Sequence, residues 1–154
     1  MRVFISCPFT GLCETENYVV KKEYQGFFEK LMDGITNRGH EYYLAIKREN
    51  WGIDHKGPDE CTMSDYEGVK DSDLLIVIPG NPISGGVHIE LGWASALRKD
   101  IHILLENNFT YSPVVMGLKS LTNTKYYNDC RFPDESILDT IFNILDQENK
   151  KIEG

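Results

Sequence analysis

The sequence predicts an α/β fold: a parallel sheet of about five strands with helices on both faces. Three observations carry this expectation. Short apolar runs alternate with longer stretches whose apolar residues recur at helical spacing. One run, Leu74 to Ile78, is continuously apolar, as suits a central strand covered on both sides. The segments that follow the first and third runs are rich in Gly, Pro and Ser or Thr and lead into helix starts.

The elements follow in order. Val3 to Ser6 reads as a strand that begins almost at the first residue. From about Thr15 to Arg38, Tyr24, Phe27, Phe28, Leu31 and Ile35 recur at helical spacing, and Gly39 closes the helix. Glu41 to Ile46 is the second strand, and Asn50 to Glu60 is the one long irregular stretch, either a lid over a site or an ordinary surface loop. Thr62 opens a shorter helix to about Lys70, ahead of the strand Leu74 to Ile78. A helix after Gly85-Gly86, a strand Ile101 to Leu105, a turn of helix near Val114 to Leu121 and a weak strand Lys125 to Tyr127 come next. The last helix runs from about Asp134 to Gln147. Residues 1–148 thus make one domain, and 149–154 a polar C-terminal tail expected to fray.

With 154 residues the chain can bury a real core without staples. A formal net charge of −8 argues against a general binder of nucleic-acid polymers, which needs a basic face. No apolar run reaches membrane-spanning length, and the opening residues are too few for a signal sequence, so a cytoplasmic location is expected. Cys7, Cys13, Cys61 and Cys130 are scattered without a C-x-x-C pair. They read as free thiols, and no metal site is expected.

One carboxylate stands out. In the helix after Gly86, Val87, Leu91, Ala94 and Leu97 form a core-facing stripe at 100° per residue, and Glu90 falls inside it. A glutamate there must be desolvated, paired or used, because an unpartnered buried charge is costly. His88 lies about 200° around the helix from Glu90 and is no partner for it.

In an open parallel sheet, ligands bind beyond the carboxyl ends of the strands. Cys7 to Gly11, Pro79 to Gly86 and Glu106 to Thr110 occupy that position. Ser84-Gly85-Gly86 suits either a helix N-cap or an anion held by exposed N–H groups. Asp65 fits either a capping arrangement with Thr62 or a second working carboxylate. Asp71 and Asp73, at the opposite end of the third strand, read as structural or solvated. A buried acid beside an anion-holding turn suits attack on an anomeric carbon, with a second acid holding the sugar or protonating the leaving group.

The strand ending in Cys-Pro-Phe-Thr-Gly11, the block from Asp65 to Val77 and Gly-Gly-Val-His-Ile-Glu-Leu-Gly-Trp-Ala94 resemble the nucleoside 2-deoxyribosyltransferase superfamily, over nearly the whole chain and in order. The resemblance implies a flavodoxin-like (Rossmann-like) sheet. It implies Glu90 as nucleophile and Asp65 as the residue that engages sugar or base. It further implies Phe9 and Gly11 as ligand-lining, Ser84 and Gly86 as holders of a 5′-phosphate, and Ser112 as a serine lent across a subunit interface. Deoxyribosyltransferases carry Asp-Ser-Gly-Thr ahead of the glutamate; here the run is Pro82-Ile-Ser-Gly-Gly86, without the acid.

That departure favours hydrolysis of a nucleoside 5′-monophosphate to free base and (deoxy)ribose 5-phosphate. The alternatives are nucleoside 2-deoxyribosyltransferase activity (base exchange), cleavage of a dinucleotide, and a non-catalytic nucleotide sensor on the same fold. Phe9, Tyr18, Tyr24 and Trp51 are either base-stacking or ordinary core and loop aromatics. The expected partners are a small nucleotide or nucleoside and a second copy of the chain in a homodimer or higher homo-oligomer, with no membrane and no nucleic-acid polymer. No cofactor is expected.

Overall fold

The computed structural model describes residues 1–153. Five parallel strands, β1 (Arg2–Ser6), β2 (Glu41–Tyr43), β3 (Leu74–Val77), β4 (Asp100–Leu104) and β5 (Thr124–Tyr127), form one sheet in the order β2-β1-β3-β4-β5. Around it lie α1 (Lys22–Thr36), α2 (Ala45–Arg48), α3 (Pro58–Asp71), α4 (Gly85–Ala96), α5 (Pro113–Met116) and α6 (Ser136–Glu153). This is the flavodoxin-like arrangement, whose strand order reverses between β1 and β3.

The pleat sorts the core into two layers. Val3, Ile5, Leu74, Ile76 and Leu104 face α1 and α6, packing on Phe28, Leu31, Ile141 and Leu145. Phe4, Leu75, Val77, Ile101 and Ile103 face the other way, onto Val69 of α3 and Val87, Leu91 and Ala94 of α4. Alternate residues of the same strands are therefore all buried, which is why these runs read as continuously apolar.

Several boundaries differ from those the sequence predicts, each for a local reason. The first helix begins at Lys22 instead of Thr15, because residues before it form a turn. Asn17 Oδ1 accepts from the Val19 N–H at 3.0 Å, Tyr18 takes a φ of 56°, and Cys13 bridges to Val20. The second strand pairs only over Glu41–Tyr43, since Leu44 is the N-cap of α2 and the chain turns to bury Ile46. α3 starts at Pro58, not Thr62, with Pro in its first turn and Asp59 and Glu60 at its positive end. The irregular stretch after Asn50 thereby shrinks: Asn50–Gly52 is a 3-10 turn, and Trp51 lies in the core. Leu97 falls beyond α4 and is exposed, whereas the rest of its expected stripe is buried. The final helix continues past Gln147 to Glu153, helped by a Lys151–Glu148 pair and by lysines in its last turn. Of the expected tail, Gly154 lies outside the described residues.

Candidate active site

A cleft of about 710 Å³ opens over the carboxyl ends of β1 and β3, at the point where the strand order reverses. Two glycine-containing loops frame it, one after each strand. Gly80, at a φ of +77°, lets the loop after β3 close onto the loop after β1, because a Cβ there would come within 2.8 Å of Pro8 Cγ.

Glu90 enters the cleft from α4, whose apolar residues fix it on the sheet. The residue is 8% exposed. Its one side-chain hydrogen-bond partner among the described residues is Ser6, the last residue of β1, whose hydroxyl donates to Oε2 in a short contact. Burial pushes the Glu90 carboxyl from an ordinary 4.5 up to about 8; the Ser6 hydrogen bond pulls it down, and the charge of Asp65 adds to the rise. Burial also raises the neighbouring Cys7 thiol, with the charges of Glu90 and Asp65 adding to it, so Cys7 stays protonated and is no competing nucleophile.

Asp65 reaches the same cleft from the middle of α3, seven residues after Pro58. The capping role with Thr62 is therefore excluded: both residues stand inside the helix. Its Oδ1 accepts from the Tyr43 hydroxyl at 2.9 Å and from Arg48 Nη1 at 3.3 Å, and the same Nη1 donates to Tyr43 Oη at 2.7 Å. Gly68, one helical turn on, allows this close approach. A Cβ there would lie 2.9 Å from Tyr43 Cδ1 and 3.0 Å from Phe4 Cε2, the two rings being stacked at 5.1 Å. Burial raises the Asp65 carboxyl above its usual range; Tyr43 and Arg48 oppose the shift, and the charge of Glu49 reinforces it.

Ser84 is the N-cap of α4, its Oγ accepting from the Val87 N–H at 3.1 Å. The cap and the cleft are compatible, for Ser84, Gly85 and Gly86 all line the cavity. Neither glycine has a positive φ. A Cβ at Gly85 would meet nothing within 4 Å, and one at Gly86 only Ser84 Oγ at 3.9 Å. Folding within the chain does not require glycine at these positions; what their smallness provides is open access to the N-terminus of a helix.

Of the residues singled out by sequence, Glu90, Asp65, Phe9, Gly11, Ser84 and Gly86 converge on this cleft. Ser112 does not. It caps α5 and lines, with His88 and Tyr111, an adjoining groove of about 210 Å³ that shares Gly80, Asn81 and Pro82 with the cleft. From the loop after β4 only Glu106 reaches the main cleft. Tyr24 lines it too, stacked on Phe132 at 5.4 Å, while Phe9 meets His55 edge-on at 6.4 Å. Tyr18 is exposed, outside the lining, and Trp51 is a core residue. Sequence reasoning missed Ser6, Tyr43, Arg48 and Glu49. Only Ser6 left a signal: as the polar end of the first strand it shares the parity of Phe4 and so the face of α4.

No protein-family model and no curated protein matches the chain. Solved structures do. The CMP N-glycosidase BcmB of Clostridium botulinum is 28% identical, with a TM-score of 0.68 over 96% of this chain and 99% of its own. BlsM is 32% identical, with a TM-score of 0.74 over 96% of this chain and 93% of its own. A 2-deoxyribosyltransferase from Bacillus psychrosaccharolyticus shares the fold at 15% identity, with a TM-score of 0.58 over 90% of this chain and 96% of its own. Together with the strand order and the cleft, these likenesses show that the chain belongs to the nucleoside 2-deoxyribosyltransferase-like superfamily, which has an N-glycosidase branch.

Proposed function

We propose that the protein hydrolyses the N-glycosidic bond of a nucleoside 5′-monophosphate through a covalent glycosyl-enzyme on Glu90. The observation that carries this is the pairing, in one cleft, of a buried, cation-free carboxylate with a second acid and an open helix N-terminus. The N-glycosidase activity named for BcmB adds support.

In this reading the 5′-phosphate rests on the N-terminal turn of α4 at Ser84 to Gly86. The Glu90 carboxylate bonds to C1′ as the C1′–N bond breaks, the electron pair leaving with the base. The departing base nitrogen takes its proton from solvent, while the Asp65 carboxylate holds the sugar. Water then attacks C1′, its proton passing to Asp65, and the C1′–O bond electrons return to Glu90. The products are free base and ribose or deoxyribose 5-phosphate. Phe9 and Gly11 line the site. Because Glu90 must be ionised to attack, kcat/KM rises with pH through about 8.

The homodimer is part of the proposal. Ile89, Val114 (78% exposed) and Met116 on α4 and α5 join Met63 and Tyr66 of α3 among the exposed large apolar residues, and Ser112 adjoins Val114. No helix among the described residues is long and apolar enough to cross a membrane.

A panel of nucleosides and 5′-monophosphates, with released base measured by chromatography, tests the function. Base is expected from monophosphates and far less from nucleosides. Exchange of an added second base into nucleoside would replace hydrolase with transferase, and ligand binding without any free base would leave a sensor.

A further inference from the structure

We infer that Glu49 selects the base, favouring one that carries an exocyclic amine over its keto counterpart; this rests on the N-glycosidase reading above.

The argument starts from the sheet order. The loop before α4 follows β3, whereas Glu49 follows β2, and β1 lies between those strands. A nucleotide with its phosphate on the α4 turn and C1′ at Glu90 therefore extends its base towards the β2 side. Asp65, Glu49 and Cys61 line the cleft there.

Glu49 is held, not loose. Its side chain is 12% exposed, and Oε1 accepts from Arg48 Nη2 at 2.8 Å and from Cys61 Sγ at 3.2 Å. Both bonds run to one oxygen; Oε2 has no hydrogen-bond partner among the described residues. It is an oriented acceptor on the cleft wall. The cation lining the cleft on this side, Lys56, sits on an exposed loop and leans towards Glu60 at 3.7 Å, so it offers no comparably fixed donor.

A fixed carboxylate acceptor pairs with the N4 amine of cytosine or the N6 amine of adenine. Against uracil or hypoxanthine the same oxygen faces a carbonyl, acceptor against acceptor.

The test measures kcat/KM for CMP, UMP, AMP and IMP, and for their 2′-deoxy forms, with the wild-type chain and with Glu49→Gln and Glu49→Ala. The wild type should favour an amino base over its keto partner by roughly ten- to a hundredfold. Glu49→Gln should collapse or invert that ratio, since its amide can turn an N–H donor towards the carbonyl. Glu49→Ala should abolish the preference without inverting it. The ratio is internal to each preparation, so partial unfolding of a variant cancels. Base release with no amino preference, or a preference unchanged in both variants, overturns the inference and leaves the N-glycosidase reading intact. Absence of release from every nucleotide overturns both.

Discussion

Two carboxylates project into one cleft from adjacent helices, yet their surroundings differ. Among the described residues, Glu90 on α4 has a single neutral donor, Ser6, and apolar packing on both sides in the helix. Asp65 on α3 has a phenol and a guanidinium, tied in turn to Glu49. Burial raises both, but only Asp65 has a cation working against the rise. The contrast suits a division of labour: an unshielded acid is a strong nucleophile once ionised, while an acid locked by directional partners holds position and exchanges protons.

The sharpest way to break this contrast is Glu90→Gln. Turnover should fall by at least about 10⁴-fold, because no neighbouring group replaces the nucleophile. The fold should survive. Between pH 4.5 and about 8 the native state holds a proton on Glu90 that the unfolded chain has released, so stability falls as pH rises through this window. Denaturant titrations should show Glu90→Gln losing that slope and equalling or exceeding the wild type near pH 8. A variant that keeps its turnover sinks the covalent mechanism.

Asp65→Asn should cost about 10²- to 10⁴-fold in kcat, the usual range for a lost acid–base group. Because the Asp65 carboxylate works on the sugar and the attacking water, activated substrates whose leaving group needs no proton should show the same loss. Recovery with such substrates would make Asp65 the acid of the leaving group instead. Smallest of the three is Ser6→Ala. Removing the one donor to Glu90 should move the alkaline rise of kcat/KM to higher pH, with about a tenfold loss near pH 7 and little loss at pH 9. An unshifted profile would mean that Ser6 does not tune the nucleophile.

The two sides of the cleft were not equally readable. Glu90 stood out because helical periodicity alone places an acid on an apolar stripe, and periodicity is a local property. Ser84 and the two glycines were legible as a helix start, though whether the turn capped or also lined a cavity was not. Asp65 read locally as either a cap partner of Thr62 or a second working carboxylate, and only the resemblance gave it a role. Its supposed cap partner disappeared once the helix began at Pro58, and its real partners lie 22 and 17 residues away in β2 and α2. Tyr43 and Arg48 were missed because one sat in a predicted strand, the other just beyond it, and neither carried a motif. Ser112 fell outside the cleft of its own chain, which no local pattern foretells.

By itself, then, the sequence determined the α/β class, the parallel strands and the buried position of Glu90, since each is written in short-range hydrophobic period. Tertiary structure decided which strands are neighbours and so where the order reverses. That reversal brings Ser6 to Glu90 and sets Tyr43, Arg48 and Glu49 around the wall beyond Asp65. Such contacts join residues far apart in the chain. They arise only when the sheet has chosen its order, and for that choice no single segment holds the information.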